Sequence, residues 1–215
     1  MLSVIIVAAG SSNRMGFDKL MAPLGEKPVL WHTISAFLNA ENVSEVILVT
    51  TQCRFNEISI KSPKLQLVTG GKDRHDSVAN GIAKVSPNST MIAVHDGARP
   101  LIGKKQISRV VEAAKIHGAA TSAKRITETV KRSDDLQFSR ESVDRENLWL
   151  METPQVFHAE KLRQAYHNLR QSGKLVTDEV SAMEQIGIPT YLVENTSIRQ
   201  NIKITYPHDL KMAEI

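Results

Sequence analysis

SVIIVAAGSSNRMGFDK, residues 3–19, holds the two features that decide the fold: an apolar run and the loop that follows it. Residues 3–8 (SVIIVA) are apolar and mostly β-branched, with no polar residue at every second position. A strand with one wet face alternates, whereas a strand buried on both faces reads as a continuous apolar run. The run is therefore expected inside a sheet covered by helices on both sides. Residues 8–19 leave that strand at the edge where open α/β sheets place their ligands.

Strand and helix signals alternate downstream. Residues 29–38 carry Leu30, Ile34, Phe37 and Leu38 at helical spacing, and residues 46–50 (VILVT) and 65–69 read as buried strands. A helix over 73–84 turns Val78 and Ile82 inward, and residues 91–95 (MIAVH) form a fourth strand. A helix over 104–117, with Ile107, Val110, Val111 and Ala114 on one face, stops at Gly118. This order predicts an α/β protein with an open, mostly parallel, Rossmann-like sheet flanked by helices.

Residues 121–147 break the pattern. Nearly half are charged, and two β-prone runs, 127–132 and 137–143, flank Ser133-Asp134-Asp135. This predicts a projecting β-arm. An isolated hairpin is marginal in water, so the arm is expected to lean on a second subunit. Residues 148–157, interrupted by Pro154, are expected to be irregular. Helices are expected over 159–171, from Thr177 to Ile186-Gly187 and over 207–215, with short strands at 189–194 and 202–205. No repeat or linker divides the chain, so residues 1–215 read as one domain.

Composition removes several classes. The single cysteine, Cys53, excludes an internal disulfide and a cysteine zinc site, and its setting suggests a buried or incidental thiol. The longest apolar run, residues 4–9, is too short to span a membrane. No basic stretch precedes it, so no secretory leader is expected and the cytoplasm is the expected compartment. A net charge of +4 suits anionic partners but lacks the basic density of a nucleic-acid binder. There is no H-E-x-x-H, no G-x-S-x-G, no Walker A loop and no G-x-G-x-x-G.

The polar clusters at strand exits carry the chemistry. Small residues at Ala8, Ala9, Gly10 and Ser12 let main-chain amides approach a phosphate, and Arg14 and Lys19 can add two cations. The same spacing suits an ordinary strand–helix loop with solvated cations. Gly70-Gly71 and the run to Ser77 could read a nucleobase or sugar, or form a tight turn capped by Asp73. His95-Asp96-Gly97-Ala98-Arg99-Pro100 could hold a metal, a sugar hydroxyl or a phosphate, or be an Asp-Gly turn with an ion pair. His95 is expected to be a packed strand-end residue. Lys131-Arg132, Arg145, Thr153-Pro154-Gln155, Thr177-Asp178-Glu179 and Asn201-Ile202-Lys203-Ile204-Thr205 are further candidate polar anchors, with Lys203 standing out inside an apolar run.

Taken in order, AAGSSNRMGFDK, GGKDRHDSV, HDGARP, TVKR, SVDR, LWLMETPQVF, TDEVSAME and NIKIT resemble the 2-C-methyl-D-erythritol 4-phosphate cytidylyltransferase family, from Ala8 nearly to the chain end. The resemblance implies cytidylyl transfer from CTP to the polyol phosphate, Mg²⁺ bound with CTP, and a homodimer joined through the β-arm. It implies nucleotide contacts at Ala8, Ala9, Gly10, Ser12, Gly71, Ser77, Asp96, Gly97 and Ala98. Arg14 and Lys19 would stabilise the α-phosphate. Asp96, Arg99, Thr129, Arg145, Thr153, Thr177 and Lys203 would hold the second substrate, with catalytic parts for Arg145 and Lys203. It leaves the metal ligands open. The chain differs from the family pattern at Asp18, where Pro usually precedes the Lys, at Gly97, and at Glu152. A cytidylyltransferase for ribitol 5-phosphate or another polyol phosphate is the alternative.

Overall fold

The computed structural model describes residues 1–10, 15–197 and 201–214. β1 (Leu2–Val7) is followed by a short pair, β2 (Pro23–Leu24) and β3 (Lys27–Pro28), and by α1 (Val29–Leu38). Then come β4 (Val43–Thr50), α2 (Gln52–Ile58), β5 (Leu65–Thr69), α3 (Arg74–Lys84), β6 (Met91–Asp96) and α4 (Lys104–His117). The second half holds β7 (Ala119–Arg125), β8 (Val130–Ser133), β9 (Ser139–Val143), β10 (Trp149–His158), α5 (Ala159–Ser172), α6 (Glu179–Glu184), β11 (Tyr191–Glu194) and α7 (Pro207–Glu214).

Seven strands form one sheet in the order β11-β7-β10-β6-β1-β4-β5. All its neighbouring pairs are parallel except those of β10, which runs antiparallel to both β6 and β7. β1 lies between β4 and β6, with Ile5 opposite Ile47 on one side and Val94 on the other. Val4 and Ile6 face a layer containing Leu30, Ile34, Phe37 and Val110. Ile5 faces the opposite layer, with Val78, Ile82 and Leu162. This explains why the β1 run does not alternate: both faces are dry, and each buried Ile or Phe contributes roughly 1.5–3 kcal/mol. From β1 the chain goes first to β4 and β5, then returns to β6 on the other side. The crevice at the carboxyl ends of β1 and β6 is the point where the strand order reverses.

Local signals fix the helix ends around that crevice. α3 starts where the Asp76 carboxylate accepts the Asp73 N–H at 3.1 Å, a reciprocal cap. α4 stops at Gly118, whose φ of 84° suits a residue without Cβ and whose N–H reaches Ala114 O at 2.8 Å.

Three sequence expectations change. Residues 148–157 are regular rather than irregular: β10 pairs with β7 on both sides of Pro154, and the register shifts between Met151 and Gln155. A bulge absorbs a residue that cannot donate to the ladder. Residues 202–205 are not a strand. They run as an irregular segment tied by Ile204 N–H to Ala98 O at 2.8 Å, with Ile204 fully buried. Residues 121–125 are part of β7 and buried as far as Ala123, so the arm starts later than residue 121. Thr121, Ser122 and Ala123 are small and buried, with Ser122 Oγ accepting from Gln106 of α4 at 3.0 Å, and no large apolar residue marks the strand in a charged stretch. Of the two readings of Cys53, buried or incidental, exposure leaves the second; it lies beside Glu57 at 2.9 Å, which raises its thiol pKa. The arm itself is the antiparallel pair β8–β9, a separate two-stranded sheet with Val130 opposite Val143.

Candidate active site

A cavity of about 400 Å³ opens at the carboxyl ends of β1 and β6. Ala8, Ala9 and Gly10 line one wall, Gly71, Arg74 and Ser77 another, and Asp96, Gly97 and Ala98 the floor. Two close approaches shape it. A Cβ on Gly70 would lie 2.2 Å from the Ala9 Cβ, and one on Gly71 would lie 2.3 Å from the Asp76 Cβ. Those distances admit only glycine without movement of the backbone. Ser77 Oγ accepts the Gly71 N–H at 3.0 Å, fixing the turn above the cavity. Lys19 crosses the opening, and its ammonium donates to Ile204 O at 2.8 Å.

A second cavity, of about 770 Å³, adjoins the first, and Arg74, Asp96 and Lys203 line both. Asp96 is the centre of this shared wall. Lys203 Nζ lies 2.9 Å from Oδ2, Arg99 Nε 3.4 Å from Oδ2 and an Arg74 nitrogen 3.5 Å from Oδ1. Burial works against ionising Asp96, but Lys203, Arg74 and Arg99 overcome it and hold its carboxyl well below the usual carboxylate range. Arg74 is itself clamped in a fork by the fully buried Glu179, at 2.7 and 3.0 Å, and Tyr166 donates to the same carboxylate at 2.9 Å. Beneath, His95 is fully buried, bonded to Thr153 Oγ1 at 3.0 Å and Arg99 O at 3.2 Å. Burial pushes its pKa down to about 3, so it is a neutral packing residue. Asp96 offers one ionised carboxylate at the meeting point of the cavities, the hard-oxygen donor that Mg²⁺ takes together with substrate phosphates.

The β10 bulge turns Glu152 and Thr153 into the floor of the larger cavity. Glu152 Oε2 accepts from Ser122 Oγ, Asn195 Nδ2 and Asn201 Nδ2 at 2.9, 3.0 and 2.8 Å. Asn201 Nδ2 also donates to Thr153 O at 2.8 Å, and Asn201 O accepts from Arg99 at 2.8 Å. Thr153 Oγ1 accepts the Asp96 N–H at 3.0 Å. The irregular segment that carries Lys203 is thus held by Glu152, Thr153, Arg99, Ala98 and Lys19. This supplies the rigidity a strand would have given.

Most expected site residues converge here. Ala8, Ala9, Gly10, Lys19, Gly71, Ser77, Asp96, Gly97, Ala98 and Lys203 line the smaller cavity, and Arg99, Thr153 and Thr177 the larger. Ser12 and Arg14 lie outside the described residues. Thr129 and Arg145 are exposed beside the arm, just outside β8 and β9, and line neither cavity; Arg145 donates to Thr127 O. Sequence reasoning assigned Arg74 and Glu152 no part in the site and marked Glu179 and Asn201 only as members of polar runs. Arg74 and Glu179 stood in polar runs already singled out, but their pairing spans 105 positions and no local pattern announces it.

The comparisons agree with this geometry. Residues 2–215 match the model of the family described as 2-C-methyl-D-erythritol 4-phosphate cytidylyltransferase. A protein of that name from Caldanaerobacter subterraneus subsp. tengcongensis is 37% identical, over 100% of this chain and 97% of its own. A chloroplastic one from Oryza sativa subsp. japonica is 34% identical, over 99% of this chain and 73% of its own. The solved structure of the Francisella tularensis enzyme of that name superposes with a TM-score of 0.87 at 29% identity, covering 99% of this chain and 97% of the other.

Proposed function

Because the chain belongs to the 2-C-methyl-D-erythritol 4-phosphate cytidylyltransferase family, we propose that its two adjoining cavities are the two substrate sites of that reaction. CTP takes the smaller, glycine-walled cavity and the polyol phosphate the larger. The reaction is transfer of a cytidylyl group from CTP to 2-C-methyl-D-erythritol 4-phosphate, with release of pyrophosphate, in isoprenoid precursor synthesis. The shared wall of Arg74, Asp96 and Lys203 carries this reading, because it is where two bound phosphorylated molecules would meet.

A phosphate oxygen of the second substrate attacks the α-phosphorus of CTP. A new P–O bond forms, the bond from the α-phosphorus to the bridging oxygen breaks, and pyrophosphate leaves with the electron pair. No side-chain nucleophile is needed. The protein must hold two anions in line and stabilise growing charge on the α-phosphoryl oxygens. Lys19 supplies a cation at the mouth of the CTP cavity. Lys203, reaching into both cavities, positions the attacking phosphate. Arg74 and Arg99 are committed to buried partners and keep Asp96 ionised. Asp96 would be the carboxylate to hold Mg²⁺ there, and the ion bound with the triphosphate would supply neutralisation of charge on the phosphate oxygens.

The arm belongs to the same proposal. β8–β9 stands apart from the sheet, exposes Leu136 and Phe138, and keeps Thr129 and Arg145 away from its own pocket. A homodimer in which each arm closes its partner's larger cavity gives those residues a role and supports a hairpin that is marginal alone. Among the described residues no helix is long and apolar enough to cross a membrane. We place the enzyme in the cytoplasm, where an exposed thiol such as Cys53 stays reduced.

The test is pyrophosphate release with CTP and either 2-C-methyl-D-erythritol 4-phosphate or ribitol 5-phosphate. The expected result is a large preference in kcat/KM for the first. Equal or greater turnover of ribitol 5-phosphate overturns the assignment of the second substrate. Absence of CTP turnover with either overturns the site.

A further inference from the structure

Arg54 lies on α2, outside every motif that the sequence singled out, yet its guanidinium reaches the exit of β1. Nε donates to Asp18 Oδ2 at 2.5 Å, Nη1 to Ala8 O at 2.6 Å and Nη2 to Gly10 O at 3.0 Å. Its side chain is 11% exposed. Thr50 Oγ1 donates to the same Ala8 carbonyl at 2.9 Å, and Asp18 Oδ1 accepts the Leu20 N–H at 3.1 Å. One planar group therefore ties together the two ends of the loop that begins at Ala8 and returns at Asp18-Lys19. With Nε, Nη1 and Nη2 each engaged and its charge matched by Asp18, Arg54 is not placed to bind a phosphate itself.

The orientation of the backbone gives these contacts a consequence. In a trans peptide the C=O and N–H point in opposite directions. Drawing the Ala8 carbonyl toward Arg54 turns the Ala9 N–H the other way, and Ala9 lines the cavity. No acceptor among the described residues takes that N–H. Without Arg54, the carbonyls of Ala8 and Gly10 would be freer to rotate toward the cavity, where they would repel an anion. Lys19, the neighbour of Asp18, would lose a fixed base.

We propose that Arg54 is a positioning residue for CTP: it clamps both ends of the β1 loop so that main-chain donors and Lys19 are set before the triphosphate arrives. The inference rests on the smaller cavity being the CTP site. A lysine can keep the contact to Asp18 but cannot fork to two carbonyls as well.

Steady-state kinetics on the full-length protein tests it, with CTP and 2-C-methyl-D-erythritol 4-phosphate varied separately and the melting temperature measured alongside. Arg54→Ala should raise KM for CTP about tenfold, the scale of one lost charge-assisted hydrogen bond, and leave KM for the polyol phosphate within about twofold. Arg54→Lys should fall between the two, and added methylguanidinium should restore part of the CTP affinity of Arg54→Ala. If Arg54→Ala does not fold, the same split between the two KM values is read on Arg54→Lys and Asp18→Asn. A folded variant with unchanged KM for CTP, or with both KM values raised alike, overturns the proposal. Wild-type protein that neither binds nor turns over CTP overturns the underlying site instead, which keeps the two failures distinct.

Discussion

Replacing Lys19 with methionine keeps most of the side chain's length and removes its charge. In the structure the ammonium spans the mouth of the smaller cavity and ends 2.8 Å from Ile204 O, so it is fixed beside the segment that carries Lys203. A cation about 4 Å from a phosphoryl oxygen contributes about 4 kcal/mol at an effective dielectric of about 20. Lys19 is only partly buried, so solvent screens part of this, and its bond to Ile204 must be shared with the substrate. Keeping about two-thirds of the Coulomb energy leaves about 2.7 kcal/mol, or about a hundredfold in kcat. Single-turnover measurements of cytidylyl transfer at saturating CTP would isolate the chemical step. Circular dichroism should match wild type, because a methionine can fill the same channel, and the melting temperature should fall only by the share of the lost bond to Ile204 O. Turnover within threefold of wild type would remove Lys19 from transition-state stabilisation. A rise in KM for CTP alone would show that it binds ground and transition states equally.

Gly70→Ala should weaken CTP binding with little effect on the polyol phosphate, because the new methyl would sit 2.2 Å from the Ala9 Cβ and push the β1 exit loop away from α3; CTP titration by calorimetry measures it. His95 has its pKa pushed down to about 3 by burial, against an ordinary value of 6.5. Between those values the unfolded chain binds more protons, so stability falls as pH drops through that window, by about 2 kcal/mol at pH 5. Urea unfolding at pH 7 and pH 5 should show this loss, and His95→Gln should remove most of it. Asp96 adds a loss of the same sign at lower pH, below its unfolded pKa, because its carboxyl is held down in the folded state. Mixing Lys19→Met chains with Arg145→Ala chains should restore part of the lost activity if each arm serves the partner's pocket. Mixed dimers with no gain over either parent would refute the shared site.

Local chemistry made much of this protein legible. The β1 run read as doubly buried because both of its faces pack against helices. Helices α1, α3 and α4 lie where spacing and stop residues put them, since an amphipathic period and a Gly C-cap are local properties. The glycines and cations of the strand exits were visible as composition, although ordinary loops use the same residues. Elsewhere local signals misled. Pro154 argued against a strand because it cannot donate to a ladder, yet a bulge with a strand on each side accommodates it. Ile202 and Ile204 looked like strand residues, but Ile204 is buried by an irregular segment.

The sequence by itself determined the layer architecture, the order of the main elements as far as α4 and the supply of chemical groups at the strand exits, because those follow from burial periodicity and turn chemistry within a few residues. Only the tertiary structure decided which charges meet. Glu179 clamps Arg74, Asn201 joins Glu152 to Arg99, and Arg54 closes the β1 loop through partners 36 to 46 positions away. Such pairings depend on how the strands lie side by side in the sheet, and Coulomb and hydrogen-bond energies depend on distance in space, which separation along the chain does not encode.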